Sequence, residues 1–541
     1  MPKTTNMKLS VWEKIGYSLG DGAANIAWRG VSIFLFIFYV DVFGLDPAAV
    51  GLLLLVARFG DGVSDVAMGV IGDRTNTKHG KFRPWVLWSA IPLGVSLSLL
   101  FTTPDFSPTG KLIYAYVTYI LFTLVYTANN IPYGALMAVM TGDDKERTSL
   151  GSFRLAGAFA GGMVVQSALL FLVMHFGNIN PTIDVTPMED ARFKVVVTAP
   201  QSVKNVRIST KDEVALFSTP ENEAATDDDK KELDTGWSFS TAKGEPHTFI
   251  VSNIDALAPQ DIRIIDQKRG YSYAIYLMSG IMALFMIITF FATKERVAPP
   301  PSQKTHLSRD LKDLITNRPW VILLIMGLVF CIYGAIKMSV TVMYFKYFLH
   351  NELLAATYMA MLMGISIAGA AATSPLGKWL GKRNLFIYAL LLTGALNSLI
   401  FFCGPEDIHA IFVLGIGSEF FSAILPTLFF AMLGDAADYS EFVNGRRATG
   451  LVYSAGSFST KVGGGIGAAI TGWVLAAFAY DGANPQAIQG AIPGIVWLMS
   501  WIPMVVALLG AAIMLLYPLN QTKMTEITQE LARRRSTAEN A

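Results

Sequence analysis

Apolar stretches of about 20 residues recur along the chain, and short polar turns separate them. A helix of about 20 apolar residues crosses the hydrocarbon core of a bilayer, so each stretch predicts a membrane span. The pattern predicts twelve spans, at 13–43, 47–71, 84–104, 111–140, 150–176, 270–293, 319–349, 354–377, 384–403, 408–434, 448–480 and 491–517. The chain is therefore expected to be an all-α membrane protein.

A polar segment at 294–318 divides these spans into six and six. Within it, Leu307, Leu311 and Leu314 recur at helical spacing, which indicates either an amphipathic helix on the membrane surface or a solvated linker helix. The basic turn after span 2, GDRTNTKHGKFR, has a shorter counterpart after span 8, GKWLGKRN. Paired turns of this kind are typical of the parallel repeat of the major facilitator fold, whose substrate site lies between the halves near mid-membrane.

A long polar segment, 177–268, interrupts the series between spans 5 and 6. Its runs FKVVVTA, NVRIST, HTFIVSNI and IRIID are rich in β-branched residues and alternate in polarity, so they predict strands. A flexible acidic loop, ENEAATDDDKKE, is expected between them. The predicted divisions are 1–176 for helices 1–5, 177–268 for a small β-rich insertion, 269–293 for helix 6, 294–318 for a linker, 319–518 for helices 7–12 and 519–541 for a tail.

Basic residues cluster in the short loops on one side of the predicted bundle. They are Arg74, Lys78, Lys81, Arg83, Lys145, Arg147, Lys378, Lys382, Arg383, Arg446 and Arg447, whereas the opposite short loops carry none. By the positive-inside rule this asymmetry predicts that both termini are cytoplasmic and the insertion extracytoplasmic. The first dozen residues lack the apolar core of a signal peptide. The expected location is the inner (plasma) membrane of a bacterium, as a multi-pass protein.

Composition agrees with a membrane protein, because 52% of the residues are hydrophobic and only 15% are charged. The two cysteines, Cys331 and Cys403, fall in apolar stretches, and the six histidines have no metal-ligand spacing. No phosphate-binding glycine loop is present. Neither an enzyme, a cofactor nor a nucleic-acid partner is therefore expected; membrane lipid and small molecules are the expected partners, and the protein is expected to be a monomer.

Asp61 and Asp65 interrupt the apolar second span. A carboxylate at membrane depth costs about 2.5–3.5 kcal/mol on insertion scales, so the pair requires a cation, a proton or a basic partner. Four residues apart on a helix, the two side chains share one face. The pair predicts a site for a coupling ion, Na+ or H+. A structural salt bridge with Arg58 or Lys461 is the alternative.

Other intramembrane polar residues are open to two interpretations. Asp21, Asn25 and Arg29 follow one another at four-residue steps and form a polar stripe on helix 1. Arg29 can clamp a sugar carboxylate, but a salt bridge with Asp21 or another acid is the favoured interpretation. Lys337 in span 7 is predicted either to contact the substrate or to serve as a structural ion-pair partner.

Four motifs, in order, resemble a known family. They are ARFGDGVSDVAMG with GKFRPW, YTANNIPYGAL, GDAADYSEF with GRRATGLVYS, and STKVGGG. Together they are similar to the glycoside-pentoside-hexuronide cation symporters, such as the melibiose permease, and the resemblance covers nearly the whole chain outside the insertion. It implies the major facilitator fold and cation-coupled uptake of a sugar.

The resemblance also implies roles for particular residues. Asp61 and Asp65 match the cation-site aspartates of the family, Ser64 falls where the permease has an amide ligand, and Thr127 matches its hydroxyl ligand. Lys461 matches a basic residue near the ion site. This set implies Na+ at Asp61 and Asp65, which suits the preference of hard cations for oxygen ligands.

On the sugar side the chain departs from the permease. Asn25 and Asn130 align with sugar-binding aspartates, and Gly134 after Tyr133 replaces a tryptophan. An amide offers one acceptor and two donors, so sugar hydroxyls can still be held in a different pattern. Arg154 matches a basic residue near the cavity, with a gate salt bridge as its alternative. Trp28 and Tyr133 can stack on a pyranose, although such rings more often pack.

Charged residues at the basic turns are predicted to form a gate between the halves. They are Asp73, Arg74, Lys81 and Arg83 in the first half, and Asp435, Asp438, Arg446 and Arg447 in the second.

The sequence thus predicts a symporter that moves a glycoside or oligosaccharide by alternating access, with Na+ favoured over H+. A hexuronide-selective symporter and a lysolipid carrier of the same fold are the alternatives. From another class, a membrane receptor with a sensing insertion is weighed, but a sensor has no need for an ion site.

Overall fold

A computed structural model describes residues 8–141, 143–210, 215–224, 236–296, 316–444, 449–482 and 484–539. The long helices follow the predicted spans. They are α1 (Val11–Val42), α2 (Pro47–Arg74), α3 (Arg83–Leu100), α4 (Pro108–Met140), α5 (Asp144–Gly177), α6 (Gln267–Ala292), α7 (Arg318–Phe348), α8 (Glu352–Leu380), α9 (Lys382–Phe402), α10 (Ile408–Asn444), α11 (Thr449–Ala477) and α12 (Pro485–Met499, continuing as Trp501–Met514). A polar helix, α13 (Gln521–Glu539), follows.

Local sequence signals explain where these helices begin. At the start of α1, Ser10 and Glu13 form a capping box. Just before α2, the Asp46 side chain accepts a hydrogen bond from the backbone N–H of Ala49. Just before α4, the Ser107 side chain accepts one from the backbone N–H of Gly110. A proline follows each of these two caps, where its missing N–H costs nothing.

Nine helices within the described part of the chain are long and apolar enough to cross a membrane: α1, α4 to α10, and α12. The predicted all-α membrane class is therefore confirmed. Helices α2, α3 and α11 lie among these nine, with α2 packed on α4 and α11, and α3 packed on α4 and α6. The count of twelve crossings stays a prediction.

The two six-helix halves repeat one packing scheme. In the first half α1 packs on α5 and α6, α2 on α4, and α3 on α4 and α6. In the second half α7 packs on α11 and α12, α8 on α10, and α9 on α10 and α12. Adding six to each helix number converts the first scheme into the second, as the paired basic turns predict.

The halves meet through two equivalent helix pairs, α2 with α11 and α5 with α8. We call the end of the bundle that carries the loop after α1 and the insertion the insertion face, and the opposite end the terminal face. Contacts between α2 and α11 run from Pro47 against Gly472 at the insertion face to Asp65 against Lys461. One apolar core joins both halves on the insertion-face side, including Phe34 and Val340.

The described part of the insertion between α5 and α6 contains seven strands: β1 (Thr182–Pro187), β2 (Phe193–Thr198), β3 (Val203–Thr210), β4 (Leu216–Ser218), β5 (Gly236–Thr241), β6 (Pro246–Ser252) and β7 (Ile262–Ile265). They form two antiparallel sheets, in the orders β1-β2-β6-β4 and β5-β3-β7. Alternate residues such as Val195, Val206 and Phe249 form one apolar core between the sheets.

The four strand-like runs in the sequence correspond to β2, β3, β6 and β7, which confirms a small β-rich insertion. Strands β1, β4 and β5 were missed, because they are short or polar. The predicted acidic loop begins instead within a short helix, Pro220–Ala224, and 225–235 lie outside the described residues. The predicted linker helix around Leu311 also lies outside them.

Candidate functional site

A cavity of about 200 Å³ lies between the two halves. Residues of α1, α2, α4 and α11 line it: Asn25, Trp28, Asp61, Asp65, Phe122, Thr123, Tyr126, Thr127, Asn130 and Lys461. Seven of these ten were selected from the sequence as cation or substrate residues. The fold therefore brings most of the predicted site into one space.

Asp61 and Asp65 on α2 are each paired with a cation. Arg58 Nη1 donates to Asp61 Oδ2 over 3.0 Å within the helix, and Lys461 Nζ contacts the carboxylate of Asp65 from the other half. The two salt-bridge partners that the sequence offered as alternatives to an ion are thus both present. They neutralise the pair, as carboxylates at this depth require.

Oxygen atoms surround the same carboxylates. Thr127 Oγ1 on α4 donates to Asp65 Oδ1 over 3.0 Å, and Ser64 Oγ lies 3.4 Å from Thr127 Oγ1. Ser64 Oγ also donates to the backbone carbonyl of Asp61 over 2.9 Å. Asp61 Oδ1 is buried and has no hydrogen-bond partner. Carboxylate and hydroxyl oxygens therefore converge where a hard cation such as Na+ can be coordinated.

The described residues contain no group of three or more His, Cys, Asp or Glu with metal-binding geometry. A transition-metal centre in that part of the chain is therefore unsupported. The two carboxylates with a hydroxyl suit a monovalent ion or a proton instead.

Aromatic rings and amides form the rest of the lining. Trp28 and Tyr126 lie with ring centroids 5.6 Å apart, and the Arg58 guanidinium lies 4.4 Å from the Trp28 ring centre. Asn25 Nδ2 donates to the backbone carbonyl of Asp21, so part of its donor capacity is already used. Asn130 lines the cavity, whereas its neighbour Asn129 points away and donates to Ser89 Oγ over 2.7 Å.

Tyr133 and Arg154 do not line this cavity. Tyr133 is fully buried, stacks on Tyr17 with centroids 4.7 Å apart, and donates to the Tyr17 backbone carbonyl. Arg154 Nε lies 3.3 Å from Asp21 Oδ1. Tyr133 thus packs α4 on α1, which is the packing alternative given for its ring, and Arg154 joins α5 to α1 within the first half.

Of the two partners expected for Arg29, Asp21 is excluded, because Arg154 occupies that carboxylate. Arg29 lies beside Gly162 and Met363, against the second half, and Glu419 of α10 is the acid near enough to interact with it electrostatically. Lys337 donates to Asn397 Oδ1 over 2.8 Å and to the Met499 carbonyl over 3.2 Å. It therefore ties α7 to α9 and α12.

Three of the predicted gate residues at the terminal face, Asp435, Lys81 and Arg83, are bonded within their own halves. Lys382 Nζ lies 2.7 Å from Asp435 Oδ1, and Arg83 Nε donates to the Phe290 carbonyl over 2.7 Å. Glu295 accepts hydrogen bonds from the backbone N–H groups of Lys81 and Arg83. Of the other predicted members, Arg74 is exposed and Asp438 has a bonding partner. The side chain of Asp73, and Arg446 and Arg447 altogether, lie outside the described part of the chain.

A charged cluster at the insertion face, absent from the sequence-based predictions, joins the halves. Asp41 at the end of α1 accepts from Lys346 Nζ over 3.1 Å and from the Tyr480 hydroxyl over 2.6 Å, and it also contacts the Tyr347 hydroxyl. Asp41 and Lys346 lie in equivalent π-helical turns, Phe38–Val42 and Tyr344–Phe348. Lys346, a lysine at the insertion-face end of an apolar span, was the signal in the sequence.

Two bundled halves with a polar cavity between them define a secondary transporter of the major facilitator type. The chain matches the family described as MFS/sugar transport protein over residues 16–198 and 213–521. It belongs to the glycoside-pentoside-hexuronide cation symporters within that group, so the resemblance noted in the sequence is confirmed.

Several relatives extend over nearly the whole chain. YagG of Escherichia coli (strain K12), named as a candidate glycoside/cation symporter, is 31% identical and covers 98% of this chain and 96% of its own. The isoprimeverose transporter of Lactiplantibacillus pentosus is 30% identical over 94% and 89%. The glucuronide carrier protein homolog of E. coli is 28% identical over 98% and 97%.

Among solved structures, a bacterial homolog of the human lysosomal transporter Spinster, inward-facing and unoccupied, superposes with a TM-score of 0.62. The match covers 94% of this chain and 96% of that one at 12% identity. At that identity the likeness supports the fold alone.

Proposed function

We propose that this protein is a cation-coupled symporter that carries a glycoside or oligosaccharide across the bacterial inner membrane. The observation that carries the proposal is the single cavity that holds both the paired carboxylates and the polar, aromatic surface of Asn25, Trp28 and Asn130. Coupling requires that ion and sugar sites influence each other, and here they share walls. The names of YagG and the isoprimeverose transporter support the same substrate class.

Na+ is the proposed coupling ion. A proton needs only one carboxylate, whereas Na+ benefits from several oxygen ligands. Asp61, Asp65 and Thr127 supply such oxygens side by side. When Na+ binds, its charge takes over the role of the Lys461 ammonium at Asp65. Lys461 then leaves the carboxylate, and one contact between α2 and α11 is released.

Alternating access follows from where the halves touch. The Asp41 cluster and the shared apolar core close the insertion face. Opening that face separates Asp41 from Lys346 while the halves close at the terminal face. Release of Lys461 by Na+ and the sugar's contacts with both halves would together bias this two-state motion, as differential binding requires.

Isoprimeverose, a neutral disaccharide, is the first probe for transport. Purified protein in proteoliposomes is expected to accumulate radiolabelled isoprimeverose or a related glycoside under an inward Na+ gradient at equal pH on both sides. A pH gradient in the presence of N-methylglucamine serves as the matched test for H+. Accumulation driven by the pH gradient alone would reassign the ion to H+, and failure with every glycoside would overturn the substrate class.

A further inference from the structure

Arg29 lies against the second half of the protein. It occupies the middle of α1, one turn beyond the cavity residue Asn25, and a π-helical turn (Gly30–Phe34) follows it directly. Its Nε atom is buried and has no hydrogen-bond partner. A methyl group added to Gly162 would lie 3.6 Å from this Nε and 3.0 Å from Met363 Cε. The Arg29 side chain therefore lies between α5 and α8.

Glu419 reaches the same part of α8. Its Oε1 accepts a hydrogen bond from Ser366 Oγ at 2.5 Å, and Ser366 lies one turn after Met363 on one face of α8. The Arg29 side chain and the Glu419 carboxylate therefore lie against the same face of α8, about one turn apart along that helix. Their opposite charges attract across this separation.

Arg29 lies one turn from the cavity residue Asn25, and helix depth places Glu419 at the level of the same cavity. At 1.5 Å per residue, Arg29 lies about 20 Å, Glu419 about 17 Å and Asp61 about 21 Å from the insertion-face ends of their helices. Glu419 also follows Ser418, which hydrogen-bonds Asn397, the partner of Lys337. The second half thus contributes a half-buried acid at the level of the site, and that acid was missed because no motif marked it.

We propose that Glu419 sets the charge selectivity of the substrate site, a proposal that rests on the proposed glycoside transport. The Glu419 carboxylate neutralises Arg29, so this arginine does not attract a uronate. Glu419 also repels an anionic sugar directly, while its oxygens can accept hydrogen bonds from the hydroxyls of a neutral glycoside. The pair therefore favours neutral glycosides over hexuronides.

Substitution of Glu419 tests this directly. Binding of methyl β-glucoside and methyl β-glucuronide, and of the α pair, is measured by calorimetry on purified protein, so that each pair differs only in the carboxylate. In Glu419→Gln the unopposed Arg29 is expected to raise the affinity for the glucuronide relative to the glucoside by about tenfold or more, the size of one charged hydrogen bond. Glu406→Gln makes the same change at an exposed loop carboxylate of the same half and is expected to leave the ratio within about threefold.

Arg29 provides the opposite test, which also covers a Glu419→Gln variant that fails to fold. Arg29→Gln is expected to shift the ratio about tenfold toward the glucoside, because Glu419 is then unopposed. The double variant is expected to return close to the wild-type ratio. An unchanged ratio in Glu419→Gln, or a double variant that behaves like Arg29→Gln alone, overturns the role of Glu419. A wild type that binds no glycoside overturns the proposed function itself.

Discussion

Lys461 of α11 contacts the carboxylate of Asp65 on α2, and this ion pair joins the two halves of the bundle within the cavity. Thr127 donates to the other oxygen of the same carboxylate. The group proposed to bind the ion is therefore also a contact between the moving parts. A cation that displaces the lysine changes the charge of the site and also removes a contact between the two halves.

Loss of either carboxylate is expected to abolish cation-driven accumulation. Asp61→Asn or Asp65→Asn removes one charged ligand, worth about 1.5–3 kcal/mol, so the apparent cation affinity should fall by about 10- to 150-fold. Sugar binding without cation is expected to survive. Uptake under a Na+ gradient and calorimetric sugar binding separate the two effects. Asp105→Asn, at an exposed loop carboxylate, is the matched control. Normal accumulation by both cavity variants would contradict the ion site.

Replacement of Lys461 by a neutral residue is expected to preserve the exchange of sugar across the membrane but to reduce net sugar transport. In Lys461→Gln, Asp65 has no ammonium competitor, so the cation is expected to bind more tightly. The return of the empty carrier then leaves an unpaired carboxylate at membrane depth, which is unfavourable. Sugar counterflow should therefore persist while net accumulation falls at least about tenfold. Equal losses in both assays would indicate a purely structural lysine.

The Asp41 cluster is expected to hold the insertion face closed. Asp41→Asn weakens its bonds to Lys346 and two tyrosines, so the open form of this face should gain population. Phe106 and Glu406 lie on exposed loops of opposite halves and can each carry a spin label. Opening of the insertion face is then measured as a longer distance between the two labels by pulsed electron paramagnetic resonance. Cys331 and Cys403 are first replaced by serine. Tyr480→Phe removes a single neutral hydrogen bond and should produce a smaller shift.

Removal of the insertion is expected to leave transport intact. The backbone N–H of Asp266 donates to the Gly177 carbonyl over 2.9 Å, so the two ends of the insertion are adjacent and a short linker can replace 180–266. Arg207 of β3 shares a small cavity with Lys346 and Glu352, so a modest rise in KM is expected. Complete loss of uptake by a correctly inserted deletion would make the insertion part of the mechanism.

Close packing of α1 on α5 depends on glycine. A methyl group at Gly161 would lie 2.2 Å from the Gly22 carbonyl oxygen, whereas nothing lies within 4 Å of one at Gly151 in the same helix. Gly161→Ala should therefore destabilise the protein by about 1–3 kcal/mol, the usual cost of overpacking. Gly151→Ala should not. Thermal unfolding of the two variants in one detergent compares them, and equal Tm values would contradict the packing argument.

The sequence by itself determined the elements and most of the cavity. Apolar length predicts helices because backbone groups in lipid must bond within the segment, and the cost of a buried charge drew attention to Asp61 and Asp65. Alternating β-branched runs likewise predicted four of the seven strands. These signals are local, and each depends on residues within a few turns of one another.

The tertiary structure decided which charges meet. Helical spacing suggested Arg29 as a partner for Asp21, and the family resemblance marked Arg154 only as a basic residue near the cavity. Packing of α1 on α5 brings Arg154 to Asp21. Arg29 was thereby turned toward Glu419, which lies 390 residues away in the sequence. Pairing of charges depends on the distances between helices that are far apart in the sequence, and no periodicity within one helix encodes those distances.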